Sequence, residues 1–237
     1  MRWRTMSSRA SMLVACMAVM SPALAQDAPR LADTMEQRMA ACAICHGVQG
    51  EGRGAAEYYP RIGGKPAGYL FAQLQHFRDG RRRYPQMVYL MRYMPDAYLR
   101  DIADYYAKLQ PPYPAPSRPS TDARERQRGA TLATSGDAAR NVPACTSCHG
   151  QALTGMSPGV PGLVGLPVDY IAAQLGAWKA GLRVAAAPDC MHDIAQRLSG
   201  ADIAAIAKWL GSQAVPAGAL QFQPSAKLPL RCGSQPS

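Results

Sequence analysis

The amino-acid sequence predicts an all-α protein made of two tandem small helical domains, and three features lead to this fold class. The 237-residue chain matches itself at an offset of 101 to 104 residues, as a duplicated domain does. Apolar residues recur at helical spacing in both copies. The alternation of apolar and polar residues that is typical of strands is nearly absent.

The duplication rests on motifs that recur in the same order. The matched pairs are Cys42–His46 with Cys145–His149, Pro60–Gly64 with Pro161–Gly165, Pro66 with Pro167, Tyr69 with Tyr170, Ala72–Leu74 with Ala173–Leu175, Phe77 with Trp178, Gly80 with Gly181, Met87 with Met191, and Asp101–Tyr105 with Ala205–Trp209. We therefore predict a first domain over residues 26–110 and a second over 123–215. A proline-rich linker over 111–122, which favours extended chain, joins them, and a tail over 216–237 follows.

Helices are predicted in the same order in each copy. The first runs from about Leu31 into Cys42, the second begins near Pro66, a residue suited to the first helical position, and the third begins near Pro95. In the second copy, the segment from Ser199 to Asp202 predicts a capping box. The apolar faces are Tyr69, Leu70, Leu74 and Phe77 on the second helix, and Leu99, Ile102, Ala103 and Tyr106 on the third.

The N-terminus predicts a cleaved secretory signal peptide over residues 1–25. Three arginines precede a short apolar run over residues 10–20, and the small residues at 23 and 25 would leave Gln26 as the first mature residue. The run is shorter than the ~20 residues that span a bilayer, which disfavours a membrane anchor. A lipoprotein signal is an alternative, because the residues before Cys16 resemble a lipobox.

The formal net charge is +10, and removing the three signal-peptide arginines leaves about +7. Positive charge suits an acidic protein, an anionic lipid or a nucleic acid. Nucleic acid is disfavoured, because the chain is predicted to be exported and no base-stacking module is recognisable. A basic cluster lies before Met87 and is either a solvated helix end or a docking site for an acidic partner: Arg78, Arg81, Arg82 and Arg83.

Two C-x-x-C-H motifs, one in each copy, indicate covalent attachment of two haem c groups. The spacing places both thiols on one turn, where Cys42 with Cys45 and Cys145 with Cys148 would form the thioethers. The histidine that follows, His46 or His149, would be the proximal iron ligand. A zinc knuckle would need four ligands, and a thioredoxin-like pair would need a βαβ context.

Methionine is the predicted sixth ligand of each iron. Met87 and Met191 precede the last helix of their copies in the same register, whereas Met91 and Met94 are predicted to fill the core. The alternatives at the second iron are His192 and a thiolate from Cys190. His76 has alanine as its repeat partner and is predicted to be a partly exposed histidine that binds no iron.

Cys190 and Cys232 remain after the signal peptide and the attachment motifs are set aside, and in an oxidising compartment they predict a disulfide. The bond would tie the C-terminal tail to the segment that carries Met191. Ligation of iron by Cys190 competes with this pairing.

The sequence resembles the bacterial di-haem cytochrome c4 family from about residue 40 to 213, on the two C-x-x-C-H motifs, the Pro-x-Ile/Leu-x-Gly and Tyr-x-x-Gln-Leu segments, and Met87 and Met191. The resemblance implies tandem cytochrome c domains, with electron transfer in the periplasm toward a terminal oxidase and loose membrane association. It also implies that the backbone carbonyls of Pro60 and Pro161 orient the two histidines. This sequence departs from the usual pattern of the family in three features: the Cys190/Cys232 pair, the tail and the arginine cluster.

The sequence is compatible with three functions. The favoured one is a periplasmic electron carrier, not an enzyme, that docks transiently with a terminal oxidase or a dehydrogenase and takes no small-molecule substrate. The second is a di-haem redox enzyme of the peroxidase or thiosulfate dehydrogenase type, which would need an open or unusual iron ligand at Cys190 or His192. The third is a cytochrome subunit of a periplasmic dehydrogenase, held by the basic cluster and the tail.

Overall fold

The computed structural model describes residues 33–54, 58–216, 218 and 228–235. The chain from Thr34 to Ser237 forms one compact unit. The predicted signal peptide and its lipoprotein alternative lie outside the described residues. Among the described helices, none combines the length and apolarity needed to pass through a lipid bilayer.

The described part of the first half consists mainly of helices. Its elements are α1 (Met35–Arg38), α2 (Ala40–His46), β1 (Arg53–Gly54), β2 (Tyr58–Tyr59), α3 (Ala67–Arg78), α4 (Pro85–Met91) and α5 (Asp96–Lys108). The strands form a short antiparallel hairpin in which Arg53 lies opposite Tyr59. Helix α3 packs against both α4 and α5.

The second half repeats this arrangement. Its elements are α6 (Ala123–Thr134), a 3-10 turn (Ala138–Arg140), α7 (Thr146–His149), β3 (Gly155–Met156), β4 (Val160–Pro161), α8 (Val168–Lys179), α9 (Cys190–Arg197) and α10 (Gly200–Gly211). Helix α8 packs against α9 and α10, as α3 packs in the first half. The mostly helical structure confirms the predicted all-α class and its duplication.

The predicted apolar faces form the core of the first half. Leu70 and Phe77 on α3 are buried, as are Leu99, Ile102 and Tyr106 on α5. Helices α3 and α5 each begin one residue later than predicted, because Pro66 and Pro95 occupy the N-cap positions with extended backbone. The prediction of the two helices is therefore confirmed, with a shift of one residue at each start.

The first predicted helix is divided. Met39 separates α1 from α2, and α2 carries Cys42 and continues to His46, so the prediction of one unbroken helix into Cys42 was wrong. The predicted start near Leu31 lies outside the described residues. The carbonyl of Met39 accepts hydrogen bonds from the amides of both Cys42 and Ala43 at 3.0 Å, which tightens the turn there. Apolar spacing does not report this break, because the Met39 side chain itself packs in the core.

Helix α10 begins with the predicted capping box. Ser199 Oγ accepts from the Asp202 amide at 3.1 Å, and Asp202 Oδ2 accepts from the Ser199 amide at 3.0 Å. Arg128 and Arg140 each donate to the Asp202 carboxylate at 2.8 Å. Burial favours a higher pKa for Asp202, but the hydrogen bonds from Arg140, Ser199 and Arg128 outweigh it and hold this pKa well below its usual range.

The proline-rich linker is extended, as predicted, and is bound to both halves. Arg61 is 2% exposed and donates to the carbonyl of Pro111 at 2.5 Å and to that of Pro112 at 2.8 Å. Its guanidinium lies 3.8 Å from the centre of the Tyr113 ring. Further along, the Ser117 amide donates to the Gly211 carbonyl at 2.8 Å. The linker is therefore a packed segment, not a free spacer.

The two halves meet through Arg82, which the sequence placed in a basic cluster that is either solvated or a docking site. Arg82 instead donates to Gln73 in its own half and to Gln174 and Tyr170 in the other half, each at 3.0 Å. Both alternatives were wrong for this residue, because its two partners in the other half, Tyr170 and Gln174, lie 88 and 92 positions away and leave no local signal.

His76 lies in the same interface and is only 3% exposed, so the prediction of a partly exposed side chain was wrong. It is near the end of α3, and its carbonyl accepts from the Arg82 amide at 2.9 Å. Burial lowers the pKa of His76 to about 4, and the charges of Arg81, Arg183 and Arg82 act in the same direction. His76 is therefore a neutral interface residue at neutral pH.

Candidate haem sites

The first candidate site is built on α2, which carries Cys42, Cys45 and His46. The ring of His46 is buried, and its Nδ1 lies 2.8 Å from the carbonyl oxygen of Pro60. Since a carbonyl can only accept, this contact assigns the hydrogen to Nδ1 and leaves a lone pair on Nε2. The chain turns away directly after the helix, at Gly47 with a φ of 85°.

The second candidate site repeats this geometry. His149 ends α7, and its Nδ1 lies 2.7 Å from the carbonyl oxygen of Pro161. Burial lowers the pKa of both His46 and His149, against the opposing effect of these hydrogen bonds. Each imidazole is therefore neutral at neutral pH, which is the form that binds iron.

The attachment cysteines are half-buried, and their thiols are not activated. Burial raises the pKa of Cys42 and Cys148, and raises that of Cys145 to about 11. Reactive thiols of the thioredoxin type need the opposite shift. The environment thus favours cysteines that are held against an apolar group over a redox-active pair.

One cleft, which lies mainly in the second half and is called the second cleft below, brings the residues predicted for the second iron together. Cys145, Cys148, His149 and Met191 all line it. The rest of the lining is mainly apolar and includes Leu132, Ile171, Leu175, Ile206 and Leu210. His192 is not among the lining residues described. A cleft of this composition fits a flat apolar ring attached through its edge.

The segment before Met191 is held by hydrogen bonds and a covalent bond. Asp189 caps α9 by accepting from the His192 amide at 3.1 Å, and it also accepts from the Ala185 amide at 2.6 Å. Cys190 is bonded to Cys232, which confirms the predicted disulfide. The ring of His192 contacts the Trp178 carbonyl through Nδ1 at 3.1 Å. Cys190 therefore has no free thiolate while this bond is intact.

The methionines of the first half occupy different environments. Met87 lies on α4 and is partly buried against the first core, which Cys42 also contacts. Met91 is fully buried in that core, and Met94 packs against it, as predicted for both.

Positive charge at the interface, where Arg183 is buried and Arg82 is half-buried, provides a further test of whether the residues fit a haem. Arg82 and Arg183 donate to neutral partners in the described residues, namely Gln73, Gln174, Tyr69 and Tyr170. Lys65 and Arg183 also line the second cleft. Buried cations need compensating charge, and the propionates of haem would supply it. The cationic interface and the apolar cleft together fit the group.

This interface cluster was not predicted from the sequence, although its residues recur in both copies. Arg82 and Arg183 are separated by the offset of 101 residues that also separates Tyr69 from Tyr170. An arginine repeated in register with a matched tyrosine marks a position that both copies use, but only the contacts between the halves show that the two copies meet there.

The duplicated helical fold and its two attachment helices define a c-type cytochrome with two covalently bound haem c groups. A family model described as cytochrome c matches residues 32–110. Cytochrome c4 of Pseudomonas aeruginosa is 32% identical over 74% of this chain and 85% of its own. The chain belongs to the di-haem cytochrome c4 family of electron-transfer proteins.

The chain is also similar to a protein whose name states its electron donor. The thiosulfate dehydrogenase electron acceptor of Thiomonas intermedia is 40% identical over 73% of this chain and 79% of its own. Reduced cytochrome c4 of Pseudomonas stutzeri superposes with a TM-score of 0.63 at 28% identity, over 75% of this chain and 95% of that one. Thiosulfate dehydrogenase of Marichromatium purpuratum, as isolated, gives a TM-score of 0.64 at 30% identity over 78% of this chain. This chain spans 39% of that longer protein.

Proposed function

We propose that this protein is a periplasmic di-haem carrier that accepts electrons from a thiosulfate dehydrogenase and passes them singly to a downstream acceptor such as a terminal oxidase. The observation that carries the choice of donor is the similarity to the Thiomonas intermedia electron acceptor over most of both chains. In each cycle the donor loses one electron, this protein gains it, and the acceptor then removes it. No bond in the chain is made or broken.

We further propose that each domain, 26–110 and 123–215, holds one haem between a histidine and a methionine. His46 with Met87 and His149 with Met191 would be the axial ligands, and Cys42, Cys45, Cys145 and Cys148 the thioethers. The contacts of Pro60 and Pro161 with the Nδ1 atoms support this proposal, because they hold the proton on Nδ1 and direct the lone pair of Nε2 away from the proline carbonyl. When bound, haem iron supplies the one-electron chemistry.

The carrier is favoured over an enzyme by the state of the two residues that would supply an unusual ligand. Cys190 is engaged in a disulfide, and His192 is not among the described residues that line the cleft with Met191. A methionine at the sixth position closes the iron to small molecules and raises its reduction potential. Both effects suit a protein that exchanges electrons with its partners through an edge of the haem.

An exported location is consistent with the chemistry of the cysteines. The disulfide between Cys190 and Cys232 persists in oxidising compartments, of which the periplasm is one. The predicted signal peptide over residues 1–25 would direct the chain there.

The ligands are tested by a redox titration of the holoprotein, followed in the visible range and in the near-infrared methionine-to-iron band. The wild type should show that band for both ferric irons. Met87→Ala and Met191→Ala should each remove half of its intensity, and Met94→Leu, the matched control, should leave it unchanged. A full band in Met191→Ala would overturn the assignment at the second site.

The donor is tested by mixing ferric protein with a thiosulfate dehydrogenase and thiosulfate in a stopped-flow instrument. Reduction of both haems that depends on the dehydrogenase would support the proposed function. If the dehydrogenase turns over with another acceptor while this protein stays ferric, the proposed donor is wrong.

A further inference from the structure

Large apolar side chains are exposed on the first half beside its predicted iron ligands. Ile44 and Val48, each 73% exposed, lie two residues on either side of His46. Helix α4 and the turn that follows it, after Met87, present Tyr89, Leu90 and Tyr93, and Tyr93 is 84% exposed. We call these five residues the first-half apolar surface. Exposed apolar residues that flank both predicted ligands of one iron indicate a contact region.

The fold itself does not require this surface, because the second half lacks it. At the offset of the attachment motifs, 103 residues, Ile44 corresponds to Ser147 and Val48 to Gln151. At the offset of the methionines, 104 residues, Tyr89 corresponds to Asp193 and Tyr93 to Arg197. Both copies bury a similar core, so the difference between them lies in what their surfaces contact.

The second cleft is in addition bordered by the C-terminal tail. Leu228, Leu230 and Gln235 line that cleft together with Met191. The disulfide ties the tail to the methionine side, and Gln235 Nε2 donates to the carbonyl of Gly159, near Pro161, at 3.0 Å. The described end of the tail, residues 228–235, therefore borders the cleft both beside Met191 and beside Gly159.

Positive charge borders the first-half apolar surface. The Arg92 guanidinium lies 4.4 Å from the Tyr89 ring centre and 4.7 Å from that of Tyr93. Arg53 donates to the Ile44 carbonyl at 3.4 Å. Within the described residues neither arginine takes part in an ion pair. With a net charge of +10 for the whole sequence, this border is complementary to an acidic partner.

We propose that the first-half apolar surface, with Arg53 and Arg92, is where the electron donor docks, and that the donor presents an apolar contact surrounded by acidic residues. The inference rests on the proposed function, since it assigns the donor's entry point. A small apolar centre with charged borders suits the brief encounters of electron-transfer partners. The residues that flank His46 and Met87 are the surface by which a donor would approach the first haem.

The test uses the holoprotein and a thiosulfate dehydrogenase as donor. The variant carries Tyr89→Ser and Tyr93→Ser, and the matched control is Leu182→Ser, an apolar residue of the second half that is 54% exposed. Affinity is measured by calorimetry and the second-order reduction rate by stopped flow. We expect the double variant to lose about tenfold in both, because removing central aromatic contacts has effects of this size. The control should stay within about twofold of the wild type.

A further variant, Arg92→Gln, tests the charge. It should flatten the fall of the reduction rate with rising ionic strength. Unchanged visible spectra and midpoint potentials in all variants would show that the haem sites are intact. If the wild type is reduced and the double variant is reduced equally fast, the docking assignment is wrong while the proposed function stands. If the wild type is not reduced, the proposed function fails and the docking inference fails with it.

Discussion

Arg82 and Arg183 lie opposite each other in an isolated antiparallel β-bridge that joins the two halves of the molecule. Each guanidinium donates to both Gln73 and Gln174, so each half contributes one arginine and one glutamine to a shared cluster. Beside it, the Val184 amide donates to the Arg81 carbonyl at 2.8 Å. The duplicated residues thus build a pseudo-symmetric interface.

Arg183→Ala should uncouple the halves, because it removes three side-chain hydrogen bonds, two of which cross the interface. We expect a loss of about 3 kcal/mol in the free energy of unfolding and two thermal transitions where the wild type shows one, measured by scanning calorimetry. The control is Arg81→Ala, which breaks only a surface ion pair with Asp79 and should cost less than ~1 kcal/mol. A single transition at the wild-type temperature would contradict this role.

Cys190→Ser should release the tail from the second cleft. The disulfide closes a separation of 42 residues, so its loss should cost roughly 4 kcal/mol on the chain-entropy model. Cyanide should then bind faster to the second haem, which optical spectroscopy follows. Cys232→Ser removes the same bond and serves as the control. If only Cys190→Ser changes the haem spectrum, Cys190 has a role beyond the disulfide.

Asp202→Asn should change how stability depends on pH. The pKa of Asp202 is lower in the folded protein than in the unfolded chain, so its stabilising effect is present in full above about pH 4 and is lost as the pH falls toward the folded value. Urea unfolding from pH 2 to 6 should show a weaker protein at pH 6 and a flatter acid limb. Arg140→Gln removes one of the hydrogen bonds to Asp202, and its pH dependence of stability should lie between those of the wild type and Asp202→Asn. Parallel curves for wild type and Asp202→Asn would refute the linkage.

Arg61→Ala should detach the linker from the first half. It removes a buried hydrogen bond to the Pro111 carbonyl, a partly buried one to the Pro112 carbonyl and the stack on Tyr113. We expect a loss of about 2–4 kcal/mol in the free energy of unfolding. The measurements are urea unfolding and the rate of proteolysis within residues 111–122. Arg124→Ala, an exposed arginine of α6, is the control. Arg61→Lys should recover part of the loss, since lysine keeps the charge but not the paired geometry.

Local motifs and apolar spacing predicted most of the fold. The third helix was predicted from Leu99, Ile102 and Tyr106, which recur on one face, and the capping box at Ser199 needed only four consecutive residues. The break at Met39 was missed because an apolar side chain at the end of a helix looks like one in its middle. The burial of His76 was missed because its surroundings come from the other half of the chain.

The order of residues alone was sufficient to predict the duplication, the helical class and the two attachment motifs. Each of these depends on spacings within one copy or on a comparison of the two copies. Cys42 and His46 are four positions apart, and a helix brings such residues together whatever surrounds them. The interface, by contrast, exists only in the folded molecule. Arg183 and Gln73 are 110 residues apart, and no periodicity links them. Packing of the two halves decided which charges are buried and which cleft the tail borders, because burial depends on neighbours that the chain supplies from a distance.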